Sequence, residues 1–240
     1  MSLLWSERFV IRLWPHGVTI RNAIERGGTV QAYWQNPADD ENLSWQASLN
    51  TLQRWITDTA PKRVRIDTVI SDHFSHHLVL PWSPDLREDE EWLALAKARI
   101  DVTWGNAESW EVRIDRLRFE SSCLTCAMPR DLRTQLLALE RRPGVKVRSI
   151  QSNFTASFND IATTVGTTAT LIVVSERHSA TIGSVHAGAW RYIRTLPITG
   201  DDASEIEKLV DRERLLLGLP PDVTVVYKLG TDASPSLTAN

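Results

Sequence analysis

The residues best equipped for chemistry cluster in one hexapeptide, Asp72-His73-Phe74-Ser75-His76-His77, which holds three of the six histidines in the chain. Imidazoles beside a carboxylate can serve as metal ligands. Along an extended strand, His73 and His77 share a face and His76 points the other way. Two imidazoles could then meet a metal, and a third ligand would have to come from elsewhere, with Asp72 a candidate. A solvated or partner-facing loop fits this stretch better than a metal site, so no metal is expected. Cys123-Leu124-Thr125-Cys126 is the other motif of this kind. Structural zinc takes four ligands, and no second cysteine pair exists to complete the set. A redox pair would want a helix start to stabilise its thiolate. These two cysteines fall in a predicted strand on opposite faces, as expected of inert thiols.

Several common chemistries have no residues to run them. There is no G-x-S-x-G elbow for a serine hydrolase. No phosphate-binding P-loop or dinucleotide fingerprint appears, and Gly27-Gly28 is a turn only. The run Arg87-Glu88-Asp89-Glu90-Glu91 suits a solvated helix start, where acidic side chains favour the positive end of the dipole. Arg141, Arg142, Lys146 and Arg148 form a local basic excess typical of a solvated helix end. A formal charge of −3 gives no basic surface for nucleic acid. No stretch reaches the roughly 18–20 apolar residues of a membrane span. The start, MSLLWSERFV, lacks the basic and apolar regions of a secretory signal. The expectation is a soluble cytoplasmic protein without direct membrane insertion.

The elements that would position these residues repeat. Arg8–Leu13 and Val18–Arg21 read as strands around the turn Pro15-His16-Gly17, and Thr29–Trp34 as a third. Trp45, Leu49, Leu52 and Ile56 then mark one face of a helix, and Val64–Ile70 a strand covered on both sides. The same order returns in Leu171–Val174, Ser179–Ser184, Trp190–Leu196, a helix over Ser204–Leu217 and a strand over Val223–Tyr227. Ser204 and Glu207 have capping-box spacing. Between the repeats, Ser83-Pro84-Asp85 opens a helix with Trp92, Ala96, Ile100 and Leu95 (or Leu93) on its apolar face. Two strands, Trp110–Ile114 and Cys123–Met128, and a helix marked by Leu132, Leu136 and Leu139 follow it. Phe154, Phe158 and Ile161 suggest a linking helix. The expected division is a first lobe over 1–82, an inserted α/β block over 83–146, a second, truncated lobe with its linking helix over 147–230, and a loose tail over 231–240.

This order resembles the actin-like assembly proteins typified by PilM of type IV pili, the cytoplasmic domain of the type II secretion protein GspL and the MSHA pilus protein MshI. Leu80-Pro81-Trp82 before the acidic helix Asp85–Ile100 is similar to the opening of that family's inserted subdomain. Arg130–Gly144 followed by Val145–Asn159 is similar to its helix, turn and return strand. The resemblance implies an α/β, actin-like (ribonuclease H-like) fold of duplicated βββαβ units. Active members of the class hold ATP at two hairpin turns, each with an Asp near a Gly. The corresponding stretches are read here as Trp5-Ser6-Glu7-Arg8-Phe9 and Val174-Ser175-Glu176-Arg177-His178, with neither residue in either. The expectation is therefore no cofactor and no catalysis: a pseudo-ATPase scaffold that binds a short cytoplasmic segment of an inner-membrane assembly protein, and sits at that membrane through its partner. A homodimer is compatible with this. The resemblance implies a partner groove between first lobe and inserted block, with Phe74, His76, Trp82 and Trp92 as aromatic anchors. The alternative is a divergent ATPase using Glu7 and Glu176 in place of the aspartates; a metal-dependent enzyme on His73–His77 is a third, weaker reading.

Overall fold

The computed structural model describes residues 6–23, 30–35, 44–116, 120–165, 167–199 and 203–229. The expected turn at Gly27-Gly28, the loop over 36–40 and the tail over 231–240 lie outside them. In chain order the first elements are β1 (Glu7–Trp14), β2 (Gly17–Asn22), β3 (Val30–Gln35), α1 (Trp45–Asp58), β4 (Val64–Ile70), β5 (His76–Leu80), α2 (Asp89–Trp104), β6 (Trp110–Arg116) and β7 (Cys123–Pro129). There follow α3 (Arg130–Ala138), β8 (Val145–Ser152), α4 (Asn153–Ile161), β9 (Thr170–Glu176), β10 (Ser179–His186), β11 (Ala189–Pro197), α5 (Ala203–Leu216) and β12 (Thr224–Leu229). Two compact units result, one holding β1–β4, α1, α3 and β8, the other everything else.

The first unit grows from the β1–β2 hairpin. Phe9, Ile11 and Leu13 alternate into the core along β1 while Val18 and Ile20 do so along β2. The hairpin register runs from Phe9 opposite Asn22 to Trp14 opposite Gly17. β3 extends the hairpin, and the chain returns through α1 to lay β4 parallel to β1. Ser44 caps α1 by accepting the Gln46 N–H at 3.2 Å. Leu49, Leu52 and Ile56 are buried as the helical stripe requires, and Trp55, not Trp45, completes the buried face. Its ring meets Phe9 edge-on at 5.2 Å. β8 adds parallel to β4, giving the order β3-β2-β1-β4-β8. β4 is thus central and buried at every position except Arg65. Asp67 in its middle ties three strands together: Arg8 Nε reaches it at 2.6 Å and the Ser149 hydroxyl donates to it at 2.9 Å. Gly144, before β8, has φ +89°, and a Cβ there would stand 2.0 Å from the Lys62 carbonyl oxygen. Only glycine serves at that turn.

The second unit contains the repeat. β9, β10 and β11 form two hairpins, the second with a bulge at Ser184/Val185, and β12 returns through α5 parallel to β9. The order β11-β10-β9-β12 reproduces β3-β2-β1-β4 strand for strand. β9 is buried throughout: Ile172 and Val174 face Phe154, Phe158 and Ile161 of α4, while Leu171 and Val173 face Ile206 and Val210 of α5. A three-stranded sheet, β5-β7-β6, completes the unit. One face packs Leu80, Val112, Cys123 and Ala127 against Trp92, Ala96 and Ile100 of α2. The other turns Val79 and Leu124 toward the α4 cluster.

Several local expectations change. β5 is read from sequence as the end of the first lobe, yet its hydrogen bonds go to β7. α3 and the start of β8 are read as part of the inserted block, yet β8 joins β4. A strand belongs to the sheet that takes its backbone hydrogen bonds, and local periodicity does not name that sheet. Asp72–Phe74 is a 3-10 turn, so His73 and His77 share no strand face. Ser83-Pro84-Asp85 is a turn closed on the Ser83 hydroxyl, and α2 starts at Asp89, where Glu91 reaches back to the N–H groups of Arg87 and Glu88. Ser204 lies inside the first turn of α5, and it is Glu205 that reaches back, to Thr199. Among the described residues, no helix is long and apolar enough to cross a membrane.

Candidate functional site

The resemblance implies that nucleotide, if bound, would sit at the first hairpin turn of each βββαβ unit. Those turns are Pro15-His16, between Trp14 and Gly17, and Arg177-His178, between Glu176 and Ser179. The first expectation is thereby corrected. Glu7 opens β1 and pairs in register with Val64, at the far end of the strand from its turn; Trp5 lies outside the described residues. Glu176 instead closes β9. The two Ser-Glu-Arg triplets are not equivalent positions, and the counterpart of Glu176 is Trp14.

The first turn is followed by a glycine, Gly17, but has no carboxylate; the second is preceded by a carboxylate, Glu176, but has no glycine. Trp14 is buried, with its indole N–H donated to Thr19 Oγ1 at 3.2 Å and its carbonyl accepting from the Ser48 hydroxyl. Pro15 has no N–H to offer an anion. In the second turn, Arg177 and His178 carry Cβ atoms where close backbone approach would call for glycine. The His178 carbonyl is held by the Ile198 N–H at 3.1 Å, and Glu176 is buried.

The histidines do not converge. His73 sits edge-on to Phe74 in the turn after β4. His76 lies flat against Trp104 (centroids 4.4 Å, planes 2° apart) and tilted against Trp110 at 4.7 Å. His77, on the opposite face of β5, is buried beside Phe154, and burial with the neighbouring His76 lowers its pKa to about 3. No group of three or more metal-ligating side chains forms among the described residues. Cys123 packs in the core under α2 and Cys126, three residues on, turns to the other face.

Of the four expected anchors, Phe74 is buried in the first unit and Trp92 in the core of the second, its indole N–H donated to the Leu86 carbonyl at 3.1 Å. Neither offers a surface. His76 is engaged by its two tryptophans. Trp82 is 42% exposed and stands at the mouth of a groove of about 570 Å³. The groove is built by the end of β5 (Val79, Pro81), the approach to β7 (Ser122) and the start of β11 (Trp190, Arg191). Ser122 donates its hydroxyl to the Trp190 carbonyl, fixing one wall. Glu120 and Arg191 put both signs of charge on the lining. The Trp190 indole N–H is buried without an acceptor among the described residues. Such a donor costs about 1–3 kcal/mol until it is satisfied. Sequence reading misses Ser122, Trp190 and Arg191 because they are remote from Trp82 in the chain, and no local pattern marks β10–β11 as its neighbour.

No protein-family model matches the sequence, and no curated protein does. Solved structures do match. A protein of unknown function with an actin-like ATPase fold, from Bacteroides thetaiotaomicron, aligns over 96% of this chain and 84% of its own, with 14% identity and a TM-score of 0.59. The PilM-PilN type IV pilus biogenesis complex aligns over 89% of this chain and 66% of its own, at 10% identity and a TM-score of 0.56. The cytoplasmic domain of EpsL, an inner-membrane component of the Vibrio cholerae type II secretion system, aligns over 94% and 84%, at 10% identity and a TM-score of 0.52. The chain has the actin-like fold.

Proposed function

We propose that this chain is a non-catalytic actin-like scaffold that binds a short cytoplasmic segment of an inner-membrane protein in a type IV pilus or type II secretion-like assembly. The observation that carries the reading is the pair of hairpin turns. The first has a buried tryptophan and a proline and no carboxylate, and the second has two bulky residues and no glycine, its one carboxylate, Glu176, being buried. A fold kept after its phosphate grip is lost is useful as a surface. The likeness to a pilus complex and to a secretion component supports the setting, and the partner would hold the protein at the cytoplasmic face of the membrane. The segment would lie in the groove beside Trp82, whose half-exposed ring and mixed-charge lining suit a peptide with an apolar anchor.

The test is retention of solubilised inner-membrane proteins on the immobilised chain, read by mass spectrometry. The wild type is expected to retain a membrane protein of a pilus or secretion system. Trp82→Ala and Arg191→Glu are expected to lose it, while Val102→Ala, on the exposed face of α2, keeps it. Equal retention by all variants would remove the groove from the reading. Retention of no such protein by the wild type would remove the scaffold role.

A further inference from the structure

The three-stranded sheet has two edges, and they differ. β5 runs alongside β11, whereas β6 has β7 on one side and, among the described residues, no strand on the other. An open edge is a row of backbone donors and acceptors that invites another strand. β6 has no proline or lysine and pairs with β7 without a bulge, and its charges alternate in sign, so they select the strand that can pair with it. A groove of about 410 Å³ follows this edge, between Leu93 of α2 and Val112 and Ile114 of β6.

The residues of β6 name an occupant. Trp110, Val112 and Ile114 turn toward α2, while Glu111, Arg113 and Asp115 alternate acid, base, acid on the other face. Within the strand, Arg113 already pairs with Glu111 at 2.8 Å. Consider two copies of β6 laid antiparallel about a two-fold axis through Val112. Each Glu111 then stands opposite the second copy's Arg113, twice over. On the α2 face, Val112, already buried under α2, lies opposite Val112 and each Trp110 opposite Ile114. Centring the pair on Arg113 would oppose arginine to arginine and Glu111 to Asp115, which destabilises a sheet. Centring it on Ile114 would leave Trp110 and Glu111, at the start of the strand, with nothing opposite. The register on Val112 opposes unlike charges on one face and apolar residues on the other.

We infer that this protein self-associates through β6, joining two three-stranded sheets into one of six strands across a two-fold axis at Val112. The inference is independent of the partner groove, which lies at the other edge of the sheet. Sedimentation velocity of the full chain is expected to show a reversible, concentration-dependent dimer. Hydrogen exchange is expected to slow at the β6 amides as concentration rises. Arg113→Glu and Glu111→Arg should each weaken the dimer about tenfold, since each makes the facing pairs like-charged. A mixture of the two variants should recover it, because one copy then carries glutamate at both positions and the other arginine at both. A wild type that stays monomeric, a dimer indifferent to both substitutions, or a mixture no better than its components would each overturn the inference.

Discussion

His77 shows how far one side chain's surroundings can matter. Its ring is buried beside Phe154, and burial first, then the charge of His76, lowers its pKa from 6.5 to about 3. The unfolded chain takes up a proton near pH 6.5 and the folded one resists until about pH 3. Across that window the unfolded state binds more protons, so stability falls as pH falls, by up to about 1.4 kcal/mol per pH unit. From pH 7 to pH 5 this group alone should remove about 2 kcal/mol. Carboxylates and other histidines add their own dependence, so the readout is a difference. Urea unfolding of wild type and His77→Leu at the two pH values should give a flatter pH dependence in the variant, and parallel curves would refute the assignment. At this scale the sequence marked the residues but not their roles. Three histidines in six positions read best as one solvated or partner-facing loop, yet a turn and a change of strand face send them to separate surroundings. Trp82 and Trp92 look alike as letters. Only packing makes one a groove wall and the other a core residue.

Between elements, α5 is locked to β11 by a buried carboxylate. Glu213 is fully buried, accepts the Tyr192 hydroxyl at 2.5 Å, and is flanked by Arg212 at 2.8 Å. Burial and then the bond to Glu213 raise the Tyr192 pKa to about 12, so the hydroxyl keeps its proton above the usual tyrosine range and the lock loosens only as pH rises from about 10. Tyr192→Phe keeps the ring but strips the carboxylate of a donor, at an expected cost of about 2 kcal/mol in denaturant unfolding. Gly183 in β10 serves packing of another kind: a Cβ there would stand 2.5 Å from the Phe154 ring. Gly183→Ala should cost about 1–3 kcal/mol by overpacking, with no change in strand content by circular dichroism. A cost under half a kilocalorie, on the order of ordinary surface changes, would mean that Phe154 can give way. The elements themselves were legible because period-two and helical stripes are local signals. Their starts were less so. Ser83 offered a hydroxyl and a proline, but Glu91 supplies the reciprocal bonds that start α2 at Asp89. Sheet membership was not legible for β5 and β8, since the hydrogen-bonding partner of a strand is fixed by the whole chain.

For the molecule as a whole, the duplicated strand order was readable because both copies keep the same sequence of periodicities and turns. The alignment of the two copies was not. Sequence reading takes the stretches around Glu7 and Glu176 as corresponding positions, whereas the hairpin register equates Glu176 with Trp14. That register carries a consequence for nucleotide. A ligand that binds only the folded state at a hundred times its dissociation constant adds about 2.7 kcal/mol of stability. For a chain of this size that raises the melting temperature by about 5–10 °C, at roughly 2–4 °C per kcal/mol. With Trp14 and Pro15 at one turn and Arg177 and His178 at the other, millimolar Mg-ATP is expected to leave the melting temperature unchanged. The membrane-derived segment, added as a peptide, should raise it in the wild type and not in Trp82→Ala. The two ligands separate the ideas. A shift with Mg-ATP would restore a nucleotide role to this fold whatever the groove does, whereas a peptide that shifts neither protein would leave the empty turns standing and take away the surface proposed to replace them.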